Sequence, residues 1–401
     1  LIPFFAGAAI IWIIVRSRRQ PPVGSLLKYG VKILGGLILV GLIGSVMVIW
    51  PVYQFQIQNY PPERQLEDAA SLLSSFGFQP AVDFNLWLIS QPIFRAFGQY
   101  LLGLLMVVQR AAGGNTTYFW GEVSATGWWY YFPAVYLLKE TLALHILTLA
   151  ALIYCGFKTV RWLKNNRGNH FKSLTTNIHD HFPEFLMLSF IIFYWVYSMS
   201  SNLNIGVRHV LPTFPFIFIL VISQIMKLIG GKKDEKSNPE KIQKAFLKAA
   251  PLAALMIWMI FSVANTYPYF IAYFNESIGG PKNGYLYVTD SNLDWGQDLK
   301  RLAMFVDNPP PSAGGGGAIE KIKLDYFGWS DPAYYLKGRA ESARREDSDQ
   351  KGWLAVSATF LQTSCPNDNQ RCKYDERTYH WLDQHEPVAK IGYSIFVYNL
   401  K

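Results

Sequence analysis

Charge is scarce in this sequence: of 401 residues only 16% are Asp, Glu, Lys or Arg, while 51% are apolar. So little charge excludes an ordinary soluble protein, yet the chain is too polar to lie in a bilayer throughout. Cysteine is scarcer still, at three residues, which excludes a disulfide scaffold. There is no Cys/His spacing of the metal-site kind, no P-loop, no dinucleotide glycine fingerprint and no Gly-x-Ser-x-Gly elbow. No internal repeat is visible.

A formal charge of +9 would suit a nucleic-acid binder if it were spread over one face. It is banded instead. The stretches 16–32, 158–182 and 227–248 hold seventeen of the thirty-seven Lys and Arg residues, whereas 267–401 holds fifteen against seventeen acidic ones. Nucleic acid is therefore not an expected partner.

Apolar runs of spanning or near-spanning length occur at 1–15, 33–52, 132–157, 183–201, 209–229 and 247–266. Threading these six in order places all three basic bands on one side, the cytoplasmic one by the positive-inside rule. The other side receives the large loop 53–131, the turn 202–208 and the last third of the chain. The expected organisation is a transmembrane domain over 1–266 and an extracytoplasmic domain over 267–401 of a multi-pass protein in the inner or plasma membrane. The first run is short and begins with Leu1, as a helix entered midway would, and its arginines follow it, opposite to a signal peptide. We read the chain as a piece of a longer protein.

Within 53–131, Pro61-Pro62 followed by Glu63 predicts a helix start, with Leu66, Ala69, Ala70, Leu72 and Leu73 as its apolar face. Short helices lying on or dipping into the membrane are expected in this loop. Trp128, Trp129, Tyr130 and Tyr131 form an aromatic belt where the chain re-enters the bilayer. Beyond 267, strands are expected at 322–326, 353–360 and 391–397 and helices at 294–306, 331–337 and 376–384, which together suit a small α/β sandwich. Pro309 to Pro311 and Gly314 to Gly317 mark a flexible loop. Cys365 and Cys372 flank a short polar loop and pair as a disulfide where the compartment is oxidising. Cys155 reads as a buried thiol.

Several polar groups stand at the depth of the far headgroups. Arg208 and His209, in Asn204-Ile-Gly-Val-Arg-His-Val-Leu-Pro212, suit either a phosphate held by a guanidinium or an interfacial anchor that snorkels to water. Lys139, beside Glu140 inside an apolar run, is a second candidate phosphate contact or a snorkelling boundary. Glu122, with Trp128 and Tyr131 near it, suits either contact with the hydroxyls and apolar face of a sugar or acceptor or a carboxylate in a solvated loop. The carboxylates of Asp290 to Asp298 read as helix capping and solvated turn, since oxygens at i, i+4 and i+8 line one helix face and do not surround an ion.

Gly121-Glu122 through Gly127 to Pro133, Asn204 to Pro212, Pro281 to Tyr285, Asp290 to Asp298, Tyr326-Phe-Gly328 and Gly392 to Ile395 together resemble the C-terminal half of bacterial polyprenyl-phosphate-dependent membrane glycosyltransferases. That group is related to protein O-mannosyltransferases and aminoarabinose transferases. The resemblance implies a GT-C fold and transfer of a sugar from a polyprenyl-phosphate donor to a glycan, lipid or protein acceptor. It also implies that the acidic catalytic residue lies upstream of this chain and that the piece is inactive alone. Its members work with a divalent metal or with none, and no cofactor is evident in the sequence. A reading of another class is a non-catalytic membrane anchor presenting an extracytoplasmic binding module. A transporter is a third, disfavoured by the lack of paired Gly/Pro interruptions and central charges.

Overall fold

The computed structural model describes residues 2–19, 26–165, 170–230, 239–314, 317–366 and 372–401. Parts of the basic bands, the centre of the glycine run and most of the loop between Cys365 and Cys372 lie outside the described residues. The helices are α1 (Ile2–Arg19), α2 (Leu26–Gly44), α3 (Trp50–Gln56), α4 (Pro62–Leu72), α5 (Gln79–Ser90), α6 (Arg95–Gly113), α7 (Tyr131–Lys139), α8 (Leu142–Asn165), α9 (His170–Asp180), α10 (Phe182–Met199), α11 (Phe214–Ile229), α12 (Pro239–Ala264), α13 (Leu299–Asp307), α14 (Pro332–Leu336) and α15 (Ala358–Thr363).

Among the described residues, four helical stretches are long and apolar enough to cross a membrane: Gly30–Gln56, Leu142–Asn165, Phe182–Met199 and Val207–Ile229. Two of the six expected spans, near 1–15 and 247–266, are shorter apolar helices, Phe4–Ser17 and Ala249–Ala264. The expected run 132–157 is divided, because the chain turns extended at Glu140 between α7 and α8. Asn275, wholly buried, makes that break tolerable: its Nδ2 donates to the carbonyls of Leu137 and Glu140 at 2.6 and 2.7 Å.

The chain forms two units, one of residues 1–113 and 163–193, the other of 114–162 and 194–401. Their division differs from the expected boundary at 266. In the first unit α4, α5 and α6 close around Ala69, Leu73, Val82, Ile89, Leu102 and Leu105. Helix α4 begins at the predicted prolines, yet its buried face is Gln65, Ala69 and Leu73, while Leu66, Ala70 and Leu72 are exposed. A glutamine is tolerated inside because Arg95 Nε donates to its Oε1 at 3.0 Å and its Nε2 donates to Gln99 at 2.8 Å.

The second unit carries two sheets. Strands β1 (Thr117–Phe119), β2 (Glu122–Ser124) and β6 (Cys372–Lys373) form a small antiparallel one, the first two of them in the loop 53–131, where short helices were expected. The larger sheet has the order β4 (Ala340–Ser342), β3 (Ile322–Asp325), β5 (Gly352–Ser357), β8 (Ile395–Leu400), β7 (Ala389–Ile391). Strands β3, β4 and β5 are parallel, and β8 runs antiparallel to both β5 and β7. The single closing strand expected at 391–397 is thus a hairpin turning at Gly392 and Tyr393, both at positive φ. One face of the large sheet packs on α13, and the other joins the aromatic core that includes Phe119, Phe132, Phe274 and Phe396. The expected helix at 376–384 is two short 3-10 turns.

Candidate functional site

The sequence segments singled out above meet in the second unit, and small residues allow them to. Gly127 adopts a positive φ, and a side chain there would occupy the space of the Asn204 carboxamide. Gly206 passes equally close to Ser291. With these approaches open, Asn204 Oδ1 accepts from the Trp128 N–H at 2.6 Å, and Ser291 Oγ donates to the Ile205 carbonyl. The turn before α11 is thereby fastened to the start of α7 and to the 290–292 turn.

Asn292 is the hub. Fully buried, it accepts from the Val207 N–H through Oδ1 at 2.9 Å, and its Nδ2 donates to the Tyr131 hydroxyl at 2.8 Å and the Thr289 carbonyl at 3.2 Å. Its own carbonyl accepts from Lys139 Nζ at 2.6 Å. The same ammonium donates to the Ile271 carbonyl at 2.8 Å and stands 4.5 Å from the Phe274 ring centre. Two of its three donors thus serve the protein's own backbone.

Arg208 follows Val207 and is exposed, with its guanidinium 4.4 Å from the ring centre of Trp295. The indole Nε1 donates to the Ser291 carbonyl at 3.3 Å, and the Trp295 backbone N–H donates to Gln297 Oε1 at 2.7 Å. An exposed guanidinium over an indole sets a charged, planar donor group beside an apolar ring, a combination that suits a phosphate. His209 is half-buried, its ring centre 6.2 Å from that of Phe132.

Glu122 is exposed on β2, where it pairs in register with Lys373. With Trp128, Lys373 and Glu376 it lines an open cavity of about 460 Å³. Tyr131, expected beside it as a sugar or acceptor contact, belongs instead to the core and presents no ring face to solvent. A disulfide joins Cys365 to Cys372 and anchors β6 next to this cavity. Comparison with protein families, curated proteins and solved structures finds no match. What the site can do therefore rests on its own geometry.

The Asp290 to Asp298 carboxylates, expected to cap a helix and lie in a solvated turn, are instead drawn inward at two positions. Asp294 and Asp298 are wholly buried. Asp294 accepts from the Gly296 N–H at 3.0 Å and the Thr359 hydroxyl at 3.3 Å, and burial lifts its carboxyl to about 7 despite those bonds. Asp298 is held by Arg301, by Gln297 Nε2 at 3.0 Å and by the Ser394 hydroxyl at 2.7 Å. The helix expected from 294 begins at Leu299, because residues 290–298 are spent on these contacts. Among the described residues no group of three or more His, Cys, Asp or Glu side chains could hold a metal ion.

Proposed function

We propose that this chain supplies the phosphate-binding wall of a membrane glycosyltransferase using a polyprenyl-phosphate sugar donor. The carrying observation is Arg208: exposed, stacked on Trp295 and fastened through Val207 to Asn292, at the head of a stretch long and apolar enough to span. A polyprenyl phosphate is an apolar chain ending in an anion, so a cation at the end of an apolar helix matches both of its parts. In transfer, the bond from the sugar's anomeric carbon to the phosphate oxygen breaks while one to the acceptor oxygen forms. The acceptor's proton passes to a base, and the leaving phosphate keeps the electron pair and needs a cation beside it. Arg208 fills that last role. Glu122 and Trp128 offer hydrogen-bond acceptors and a ring for the sugar or acceptor, and Lys139 supports the wall from within.

Binding of a polyprenyl phosphate to the detergent-solubilised chain tests the reading. A charge-assisted contact of about 1.5 kcal/mol corresponds to a loss of roughly tenfold in affinity for Arg208→Ala, with Arg208→Lys between the two. Equal binding by all three proteins would remove Arg208 from the site. A second reading, an anchored binding module, draws on Trp329 and Tyr334, which are 101% and 77% exposed. It gains if the chain binds glycan with no polyprenyl phosphate present and equally well as Arg208→Ala.

A further inference from the structure

The first unit carries an aromatic edge of its own. Along α5 and the turn after it, Phe84, Trp87, Ile93 and Phe94 are 53, 51, 70 and 40% exposed. The rings form a continuous run, with Phe84 5.9 Å from Trp87 and Trp87 6.0 Å from Phe94 between centres. Large apolar side chains grouped in this way mark a surface that meets something less polar than water.

The structure also indicates what covers it. Gly30–Gln56 is a 27-residue apolar stretch, and none of its most apolar window is buried within the protein, as befits a helix whose surroundings are acyl chains. Near the end of that stretch, Trp50 Nε1 donates to the Ile93 carbonyl at 2.9 Å. Tyr53 and Tyr100 add a ring contact at 5.5 Å between α3 and α6. The aromatic edge is thus tied to the terminal turns of a membrane-spanning helix and stands at the depth where its indole sits. Tryptophan concentrates at the boundary between headgroups and acyl chains, where an apolar ring and a polar N–H are both accommodated.

Charge is distributed accordingly. From Gln79 to Phe94 there is one ionisable side chain, Asp83, exposed beside Phe84 and one turn before Trp87, and there is none from Phe84 to Phe94. Arg95, which follows, is turned inward, its Nη2 donating to the Tyr60 carbonyl at 2.7 Å and its Nε to Gln65. Of the four charged residues of α4, on another element, Glu63, Arg64 and Glu67 are exposed and Asp68 is half-buried, accepting from the Tyr60 hydroxyl.

We infer that the edge formed by Phe84, Trp87, Ile93 and Phe94 is seated in the lipid bilayer at the headgroup–acyl boundary, making the α4–α6 bundle a membrane-resting collar fixed to the Gly30–Gln56 helix. This goes beyond the proposed transfer activity and does not depend on it. Seating here is by apolar burial from a short amphipathic helix rather than by spanning.

Spin labels on single cysteines, in a Cys155→Ser background and in vesicles of phosphatidylethanolamine and phosphatidylglycerol, decide the matter. Labels at Trp87→Cys and Ile93→Cys are compared with Val40→Cys inside the apolar stretch and Glu67→Cys on the polar face of α4. The expected ratio of oxygen to nickel-chelate accessibility at 87 and 93 is close to that at 40 and well above that at 67. Ratios matching position 67, or shielding from both reagents, would overturn the seating while leaving the spanning helix intact. An aqueous ratio at position 40 would overturn both.

Discussion

Asp294 illustrates how a single side chain changes meaning with its surroundings. In the sequence it stands in a carboxylate-rich stretch that reads as solvated turn. In the fold it is wholly buried between Gly296 and Thr359, and that burial raises its carboxyl to about 7. The unfolded chain releases this proton near pH 4, whereas the native chain keeps it to about pH 7. The group's contribution to stability is therefore full below pH 4, declines as pH rises through the interval and is constant above it. Asp294→Asn, which cannot ionise, also loses one of the two accepted hydrogen bonds, so we expect it to be less stable than the native chain at pH 5. The deficit should shrink by pH 8, as followed by denaturation midpoints in detergent at the two values. A deficit independent of pH would show that Asp294 is ionised in the fold throughout.

At the level of elements, short pieces are held by single close approaches. The β7–β8 hairpin turns at Gly392 and Tyr393, and its next residue, Ser394, donates to Asp298. A side chain at position 392 would run into the Asp298 carboxylate from a backbone already at positive φ. Gly392→Ala should accordingly cost roughly 2–4 kcal/mol of unfolding free energy. Gly338→Ala, also at positive φ but opening on empty space, should cost less, and thermal unfolding of the pair checks the ranking. Elements of this size were only partly legible beforehand. The start of α4 was, because two prolines and a glutamate act locally. The β1–β2 hairpin was not: it turns at Trp120 and Gly121, both at positive φ, and a tryptophan is an uncommon occupant of such a turn. Its partner β6 lies some 250 residues away in sequence, and no local pattern announces a pairing of that kind.

For the whole molecule, the banding of Lys and Arg against apolar runs predicts that 267–401 stands on the side opposite the cytoplasm. A cysteine at the exposed position Ser348 should react with a membrane-impermeant thiol reagent in intact cells. Labelling only after lysis would invert the expected threading. The sequence by itself determined that this chain has helices apolar enough for a bilayer and a mixed α/β portion beyond them, because span length, alternation and charge banding are properties of consecutive residues. Only the tertiary structure decided that Asn292 ties Tyr131, Lys139 and Val207 together, that Arg208 lies on Trp295, and that Tyr131, Asp294 and Asp298 are inside. Those facts depend on which distant segments exclude water from one another, and burial of that kind is set by the packed fold and not by neighbours along the chain.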